Sequence, residues 1–569
     1  MSSAEALDRN AFTFVRYDLE VRLEREQQRL EVRGKLRLRN DSTAPQKSLA
    51  LQISSTLDWH SIRAGGKPLQ FVSHRYASDV DHTGVLSEAV VALTREIKPR
   101  ETIELEIGYE GTVPLDATRL TRIGTPEEIA RRSDWDRISI GFTGVRGVGH
   151  VAWYPVAVEV GNLSEGNSLF EVLAGWKARA AEGTMRLRLA DESSGPPELL
   201  HLGEPAALNA DAATETCSLR PGEEARGSFS TKEGGPFQFW CRVFTYAPLG
   251  QRVPALLGGY NSGSAGSAAQ GLLMTLPGEW PVQAYAEVLG RVQDGLKPWF
   301  GVPKPAMIYQ LPEAGDAPYE SGASLMLPLL PNPGKSVAAI LAHQVVHADF
   351  VSSRPWVYEG LAYFGQALQA ELQNGRQGAM DSLGRYRPIF AASDKEGTAD
   401  AGRALISTHD EALYGGKAAY VWWMLRDMLG EAAFQQVLHS YHAEDDTDAK
   451  YVERLVQQAS KRDLGWFFDD WVYHDHGLPA FKVQAVFPRK TDKGLYLVAV
   501  TVENFGNAGA EVPVAVTYSG GEITARMEVQ GKSLATTRIE TPATPLEVRV
   551  NDGSVPVAGM TLETFKITQ

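Results

Sequence analysis

The chain changes its hydrophobic period twice, and that change limits its possible folds more than any other feature. Leu30-Glu31-Val32-Arg33-Gly34-Lys35-Leu36-Arg37-Leu38-Arg39 alternates apolar and polar residues around Gly34. Phe14 to Leu23 and Ile103 to Tyr109 do much the same. Period-2 patterning suits strands with one buried and one wet face, so residues 12 to about 245 are expected to form a large antiparallel sheet domain. Gly258 to Gly271 is then rich in Gly and Ser, as a flexible loop or linker would be. Helical spacing follows over Ala284 to Val292, Val337 to Phe350, Trp356 to Leu372, Lys417 to Leu429 and Ala432 to Tyr441. A further helix is expected over Tyr451 to Ala459, and Pro355 suits the first turn of the helix through Trp356. From about Phe481 the strands return, with Gly494 to Val502 and Val512 to Thr517 as examples. The expectation is a multidomain α+β chain: an N-terminal β-sheet domain over 1–245, a mostly helical domain over 246–480 and a C-terminal β-sandwich over 481–569.

Bulk properties narrow the function. A chain of 569 residues is too long for one core, and 43% apolar residues supply material for several. A formal net charge of -14 argues against nucleic acid, whose phosphates need a basic footprint. No stretch has the length and apolarity of a membrane span. The start, Met1 to Glu5, is polar and shows no signal peptide; a chain from which one had been removed would start the same way. Periplasmic or extracellular and cytoplasmic locations are therefore both open, as is the oligomeric state. Cys217 and Cys241 suit one disulfide or two buried thiols equally well.

Chemistry concentrates in His343-Gln344-Val345-Val346-His347 and Glu359. Two histidines four apart lie one turn apart on the same helix face, so both imidazoles can reach one metal ion. An HxxxH pair alone is often no more than a buried helix carrying two histidines. Glu359, on the next expected helix, supplies a third donor, and two imidazoles with one carboxylate make a zinc site with a position left for water. In the usual H-E-x-x-H pattern the glutamate takes a proton from the attacking water. That position is Gln344 here, and an amide cannot accept a proton at neutral pH.

Several segments, in order, resemble the aminopeptidase N-like (gluzincin) zinc metallopeptidases, whose catalytic domain is similar to that of thermolysin. His343 and His347 match the two histidine ligands, and Trp356 to Ala362 resembles the W-x-x-E-G-x-A segment that makes Glu359 the third. Tyr414-Gly415-Gly416-Lys417-Ala418 resembles the segment whose tyrosine stabilises the oxyanion, with the glycine and lysine shuffled. Trp466 to Trp471 with Gly477-Leu478-Pro479 resembles the closing segment, and Trp153-Tyr154-Pro155 a W-[FY]-P in the N-terminal sheet domain. The resemblance spans residues 12 to 480. It implies one zinc per chain on His343, His347 and Glu359, a catalytic pair in Gln344 and Tyr414, and a peptide or small protein as substrate.

Three departures accompany it. Gln344 replaces the general base; eleven residues separate His347 from Glu359, fewer than the family usually has; and the G-x-M-E-N strand is altered. Its nearest counterpart, Gly322-Ala323-Ser324-Leu325-Met326, places Leu325 where a glutamate would grip the substrate's free amine. Glu320, with Gly322 and Ala323, is the candidate substrate-binding group, and weak preference for free N-termini is expected unless Glu320 or another carboxylate serves. Gln344 itself suits two explanations: a substitution that traps substrate, or a non-catalytic relative that binds peptides or a partner. A β-sandwich adhesion or scaffold protein without metal is the remaining rival.

Other residues receive plainer readings. His474 and His476 flank Asp475 and could pass for a second metal site, but are expected to be surface polarity. Trp422-Trp423 and Trp466-Phe467-Phe468 are expected in the core. Asp349 suits either a support for a ligand histidine or a solvated helix position.

Overall fold

The computed structural model describes residues 7–165, 168–191, 200–202, 215–217, 239–258, 272–274, 281–304, 306–388, 404–408, 410, 412–559 and 562–567. The Gly/Ser-rich stretch after Gly258 lies outside the described residues, as do the side chains of Cys217 and Cys241. The chain divides into two compact units, residues 1–290 with 304–337 and residues 291–303 with 338–569. None of the described helices is long and apolar enough to cross a membrane.

In the first unit, strand alternation becomes a buried face. Tyr17, Leu19, Val21 and Leu23 are fully buried, and so are Leu30, Val32, Leu36 and Leu38 on the next strand. These belong to an eight-stranded sheet in which Phe12–Glu24 pairs antiparallel with Arg29–Asn40 and Arg29–Asn40 with Thr102–Thr112. A three-stranded sheet of Gln46–Ser54, Val85–Ile97 and Phe71–Ala77 adds Leu51, Ile53, Leu86 and Val91 to the same core. Trp153 and Tyr154 are buried in it, and the Tyr17 and Tyr109 hydroxyls donate to the carbonyls of Pro155 and Trp153.

One pairing departs from an all-antiparallel sheet: Phe12–Glu24 pairs parallel with Thr184–Asp191. A parallel neighbour needs a long return connection, and the helix Ser168–Ala180 precedes the returning strand. Alternation reports which face is buried, not the direction of the neighbour, so the sequence could not reveal this pairing. The first unit also holds a four-stranded sheet in which Met307–Leu311 and Ser324–Pro328 run parallel and Tyr319–Ser321 closes the edge antiparallel.

The second unit holds most of the described helices. The expected helix over Ala284 to Val292 lies within Val282–Phe300, which both units share, and the others appear as Lys335–Asp349, whose residues from 338 onward fall in this unit, and as Pro355–Gly384, Ala418–Leu429, Glu431–His439 and Tyr451–Ser460. Pro355 is the first residue of its helix, where its missing N–H costs nothing. That helix runs beyond Leu372 but is interrupted at Gly375, which has φ 68° and ψ -171°. Trp422, Trp423, Phe467 and Phe468 are buried, and Trp356 stacks on Trp422 at 4.9 Å and 8°. The β-sandwich completes the unit, with Val498, Val500 and Val502 facing the core from one sheet and Val512, Val514 and Val516 from the other.

Helix Pro355–Gly384 meets helix Lys335–Asp349 at a glycine. A Cβ on Gly365 would lie 2.6 Å from Val346 Cγ2, closer than any real contact, so the approach requires glycine here. In an unobstructed helix Gly→Ala stabilises by about 0.5–1 kcal/mol. Gly365→Ala is expected instead to destabilise by about 1–3 kcal/mol through overpacking, read as a lowered denaturation midpoint of the purified protein. A raised midpoint would contradict the close approach.

Candidate metal centre

His343 and His347 lie one turn apart on helix Lys335–Asp349, and Glu359 comes from the first turns of helix Pro355–Gly384. The two Nε2 atoms are 3.1 Å apart. Glu359 Oε2 lies 3.6 Å from His343 Nε2 and 3.3 Å from His347 Nε2. A tetrahedral zinc ion with bonds of about 2.0–2.1 Å places neighbouring donor atoms about 3.3–3.4 Å apart. The three observed edges bracket that value, so the donor set fits zinc in chemistry and in size.

The surroundings keep the His343 imidazole neutral and hold both rings in place. Burial pushes the His343 pKa down to about 3, His347 pushes in the same direction and Glu359 opposes both. A neutral imidazole offers a lone pair to a metal, which a protonated one cannot. Tyr358 lies against the His347 ring at 3.9 Å between centroids, and Tyr363 meets His343 edge-on at 4.9 Å. Among the described residues His343 Nδ1 has no hydrogen-bond partner, so packing against Tyr363 orients that ring.

The motif spacing does not single out Tyr358 or Tyr363 as ring contacts of the histidines. A signal for Tyr363 existed: it stands four residues after Glu359 on one helix, hence on the same face. Gln344 is buried, with 1% of its surface exposed.

Tyr414 sits half-buried in a π-helical turn, Ala412–Lys417, that leads into helix Ala418–Leu429. The Gly415-Gly416 pair explains how this turn is held. A Cβ on Gly415 would lie 2.6 Å from Tyr363 Cε2, so the turn packs flat on the ring that borders His343. Lys417, at the end of the turn, donates to Asp475 at 2.7 Å.

Gly322, Ala323 and Glu320 belong to the first unit, in the hairpin of Tyr319–Ser321 and Ser324–Pro328. Gly322 takes φ 57° at its turn. Glu320 pairs directly with Leu325, so the two side chains share one face of the sheet. Leu325 is fully buried and Glu320 half-buried. Asp349, half-buried, is the last residue of the histidine helix.

No protein-family model matches this chain, and no curated protein matches it in sequence. Among solved structures it is similar to an M1 zinc metallopeptidase mutant from Deinococcus radiodurans bound to a Tyr-Ser-Ala substrate, at 16% identity and a TM-score of 0.48, covering 82% of this chain and 95% of that one. It is also similar to the M1 zinc metallopeptidase from Deinococcus radiodurans, at 17% identity and a TM-score of 0.45, covering 80% and 91%. The reading of the site stands on the donor atoms described above.

Metal analysis tests those donors directly. The metal-free chain is expected to take up one tightly held zinc at the His343, His347 and Glu359 donors, and His347→Ala to lose it. Equal, substoichiometric zinc in both proteins would contradict the assignment.

Proposed function

We propose that the second unit carries a zinc site of the metallopeptidase type, which binds a peptide or small protein and turns it over slowly or not at all. The observation that supports this reading is the donor triangle of His343, His347 and Glu359, with edges of 3.1, 3.3 and 3.6 Å. Zinc there would polarise a peptide carbonyl and make a water more acidic. His343, His347 and Glu359 would hold it, and Tyr414 is assigned to donate its phenolic hydrogen to the developing oxyanion, a contribution of about 3–4 kcal/mol where such donors have been removed.

Gln344 decides the rate. A carboxylate at that position would take the water's proton and pass it to the leaving amine. An amide leaves both transfers without a carrier. Binding and carbonyl polarisation survive the exchange, while general-base help, worth about a hundred- to ten-thousand-fold, does not. The second reading, a relative that binds peptides or a partner without cleaving them, differs only in whether the remaining groups are competent for turnover.

The Gln344→Glu variant separates the two. Loaded with zinc, it is expected to hydrolyse a broad peptide library at least about a hundredfold faster than this chain. Equal inertness of both proteins would favour the binding reading.

Recognition of the substrate end is assigned to the hairpin that holds Glu320. A buried Leu325 cannot compensate an ammonium group, so any free-amine preference falls to Glu320 on the same face. Peptides and their N-acetylated twins are expected to bind this chain with a difference that Glu320→Gln removes. An equal difference in both proteins would take the role away from Glu320; no difference in this chain would point to a site that does not read the amine.

A further inference from the structure

The short connection between the two donor-bearing helices is tied into a ring of hydrogen bonds. Residues 350–354 join helix Lys335–Asp349 to helix Pro355–Gly384. Arg354 is the last of them, and its side chain makes no cap for the helix that follows. Its backbone carries the first turn instead. The Arg354 carbonyl accepts the N–H of Val357 at 3.1 Å and that of Tyr358 at 2.9 Å. Tyr358 lies against the His347 ring, and Glu359 is the next residue. Helix ends fray unless their backbone groups are held, so the placement of Arg354 sets the placement of the third donor.

Arg354 is held from outside its helix by bonds that close on themselves. Its N–H donates to Ser352 Oγ at 3.0 Å. Ser352 Oγ lies 2.7 Å from the Tyr441 hydroxyl oxygen. The Tyr441 O–H donates to Asp446 Oδ2 at 2.8 Å, and Arg354 Nε donates to Asp446 Oδ1 at 2.7 Å, which returns to the starting residue. The hydrogens can be placed by counting. Tyr441 has one, given to Asp446, so Ser352 donates to Tyr441 and keeps a lone pair for the Arg354 N–H. Burial, and then the Asp446 charge, push the Tyr441 pKa up, so the hydroxyl keeps its hydrogen.

Ser352 and the Asp446 carboxylate are fully buried, and Arg354 is largely so. Breaking one link strands the others away from water. A buried ion pair gains little over apolar packing of the same volume, but it fixes direction, which apolar packing does not. Tyr441 also reaches the other end of the connection, where its ring stacks on Phe350 at 4.9 Å and 29°. Phe350 follows directly from the histidine helix, its N–H donating to the Val346 carbonyl at 2.8 Å. Tyr441 and Asp446 themselves come from the segment between helices Glu431–His439 and Tyr451–Ser460, in the same unit.

We propose that Ser352, Tyr441 and Asp446 are positioning residues of the metal site, holding Glu359 within reach of zinc through the backbone of Arg354 without touching the metal. The inference rests on the reading of His343, His347 and Glu359 as zinc donors.

Zinc affinity measured by chelator competition, in a double-mutant cycle with Glu359, tests it. Tyr441→Phe keeps the ring on Phe350 and removes the hydroxyl. It is expected to weaken zinc binding by this chain about ten- to hundredfold, the scale seen when support behind a ligand is removed. In the Glu359→Ala background the same change is expected to cost less than about twofold, because the residue it acts through is gone. The visible absorption of the Co²⁺-loaded Tyr441→Phe protein is expected to shift toward that of Glu359→Ala, which a purely structural role would not cause. Should Tyr441→Phe fold poorly, Ser352→Ala is expected to reproduce both effects. Unchanged affinity in the folded variants, or an equal loss with and without Glu359, would overturn the positioning role and leave the zinc reading standing. Absence of zinc binding by the native chain would overturn both.

Discussion

Everything in the site depends on how closely helix Pro355–Gly384 approaches helix Lys335–Asp349. HxxxH fixes only two donors, and both ride on one rigid helix. The third comes from another helix, so its distance is set by packing. At Gly365 the helices meet with no room for a methyl group, since Val346 fills that space. Six residues earlier on the same helix, Glu359 Oε2 reaches within 3.3 Å of His347 Nε2 and 3.6 Å of His343 Nε2. Interiors pack at close to crystal density, and a displacement of one methyl is transmitted along a helix. Donor spacing on the scale of a zinc bond therefore rests on an apolar contact, Gly365 against Val346, that itself supplies no ligand.

Aromatic rings carry that rigidity outward. Tyr358 and Tyr363 flank the two imidazoles, and Trp356 stacks on Trp422 while accepting its indole N–H at the backbone carbonyl. Tyr363 then meets the Gly415 turn, which positions Tyr414. The buried ion pair of Lys417 with Asp475 closes the other side of that turn. Asp475 also sits between His474 and His476, so the turn behind Tyr414 and the exposed histidine pair share one anchor.

Much of this was legible before the structure. Local periodicity located the strands Phe12–Glu24 and Arg29–Asn40 and the helices around His343, Glu359 and Trp422, because each has one face that must be buried. His343, His347 and Glu359 stand out in the sequence by residue chemistry and spacing, and the structure brings their side chains together. What escaped was long-range. The parallel partner of Phe12–Glu24 lies more than a hundred residues away, and alternation says nothing of its direction. The role of Gly415 depends on a ring it meets across space. The shared face of Glu320 and Leu325 likewise follows from hairpin register, which a run of short, buried residues does not specify.

The central claim is that His343, His347 and Glu359 together hold a zinc ion. X-ray absorption at the zinc edge tests it most directly, on the metal-free chain loaded with one equivalent of zinc. The account predicts two imidazole nitrogens and at least one carboxylate oxygen at about 2.0–2.2 Å, with the imidazole signal reduced in His343→Ala. A zinc shell without imidazole, or one unchanged by removing His343 and Glu359, would contradict it.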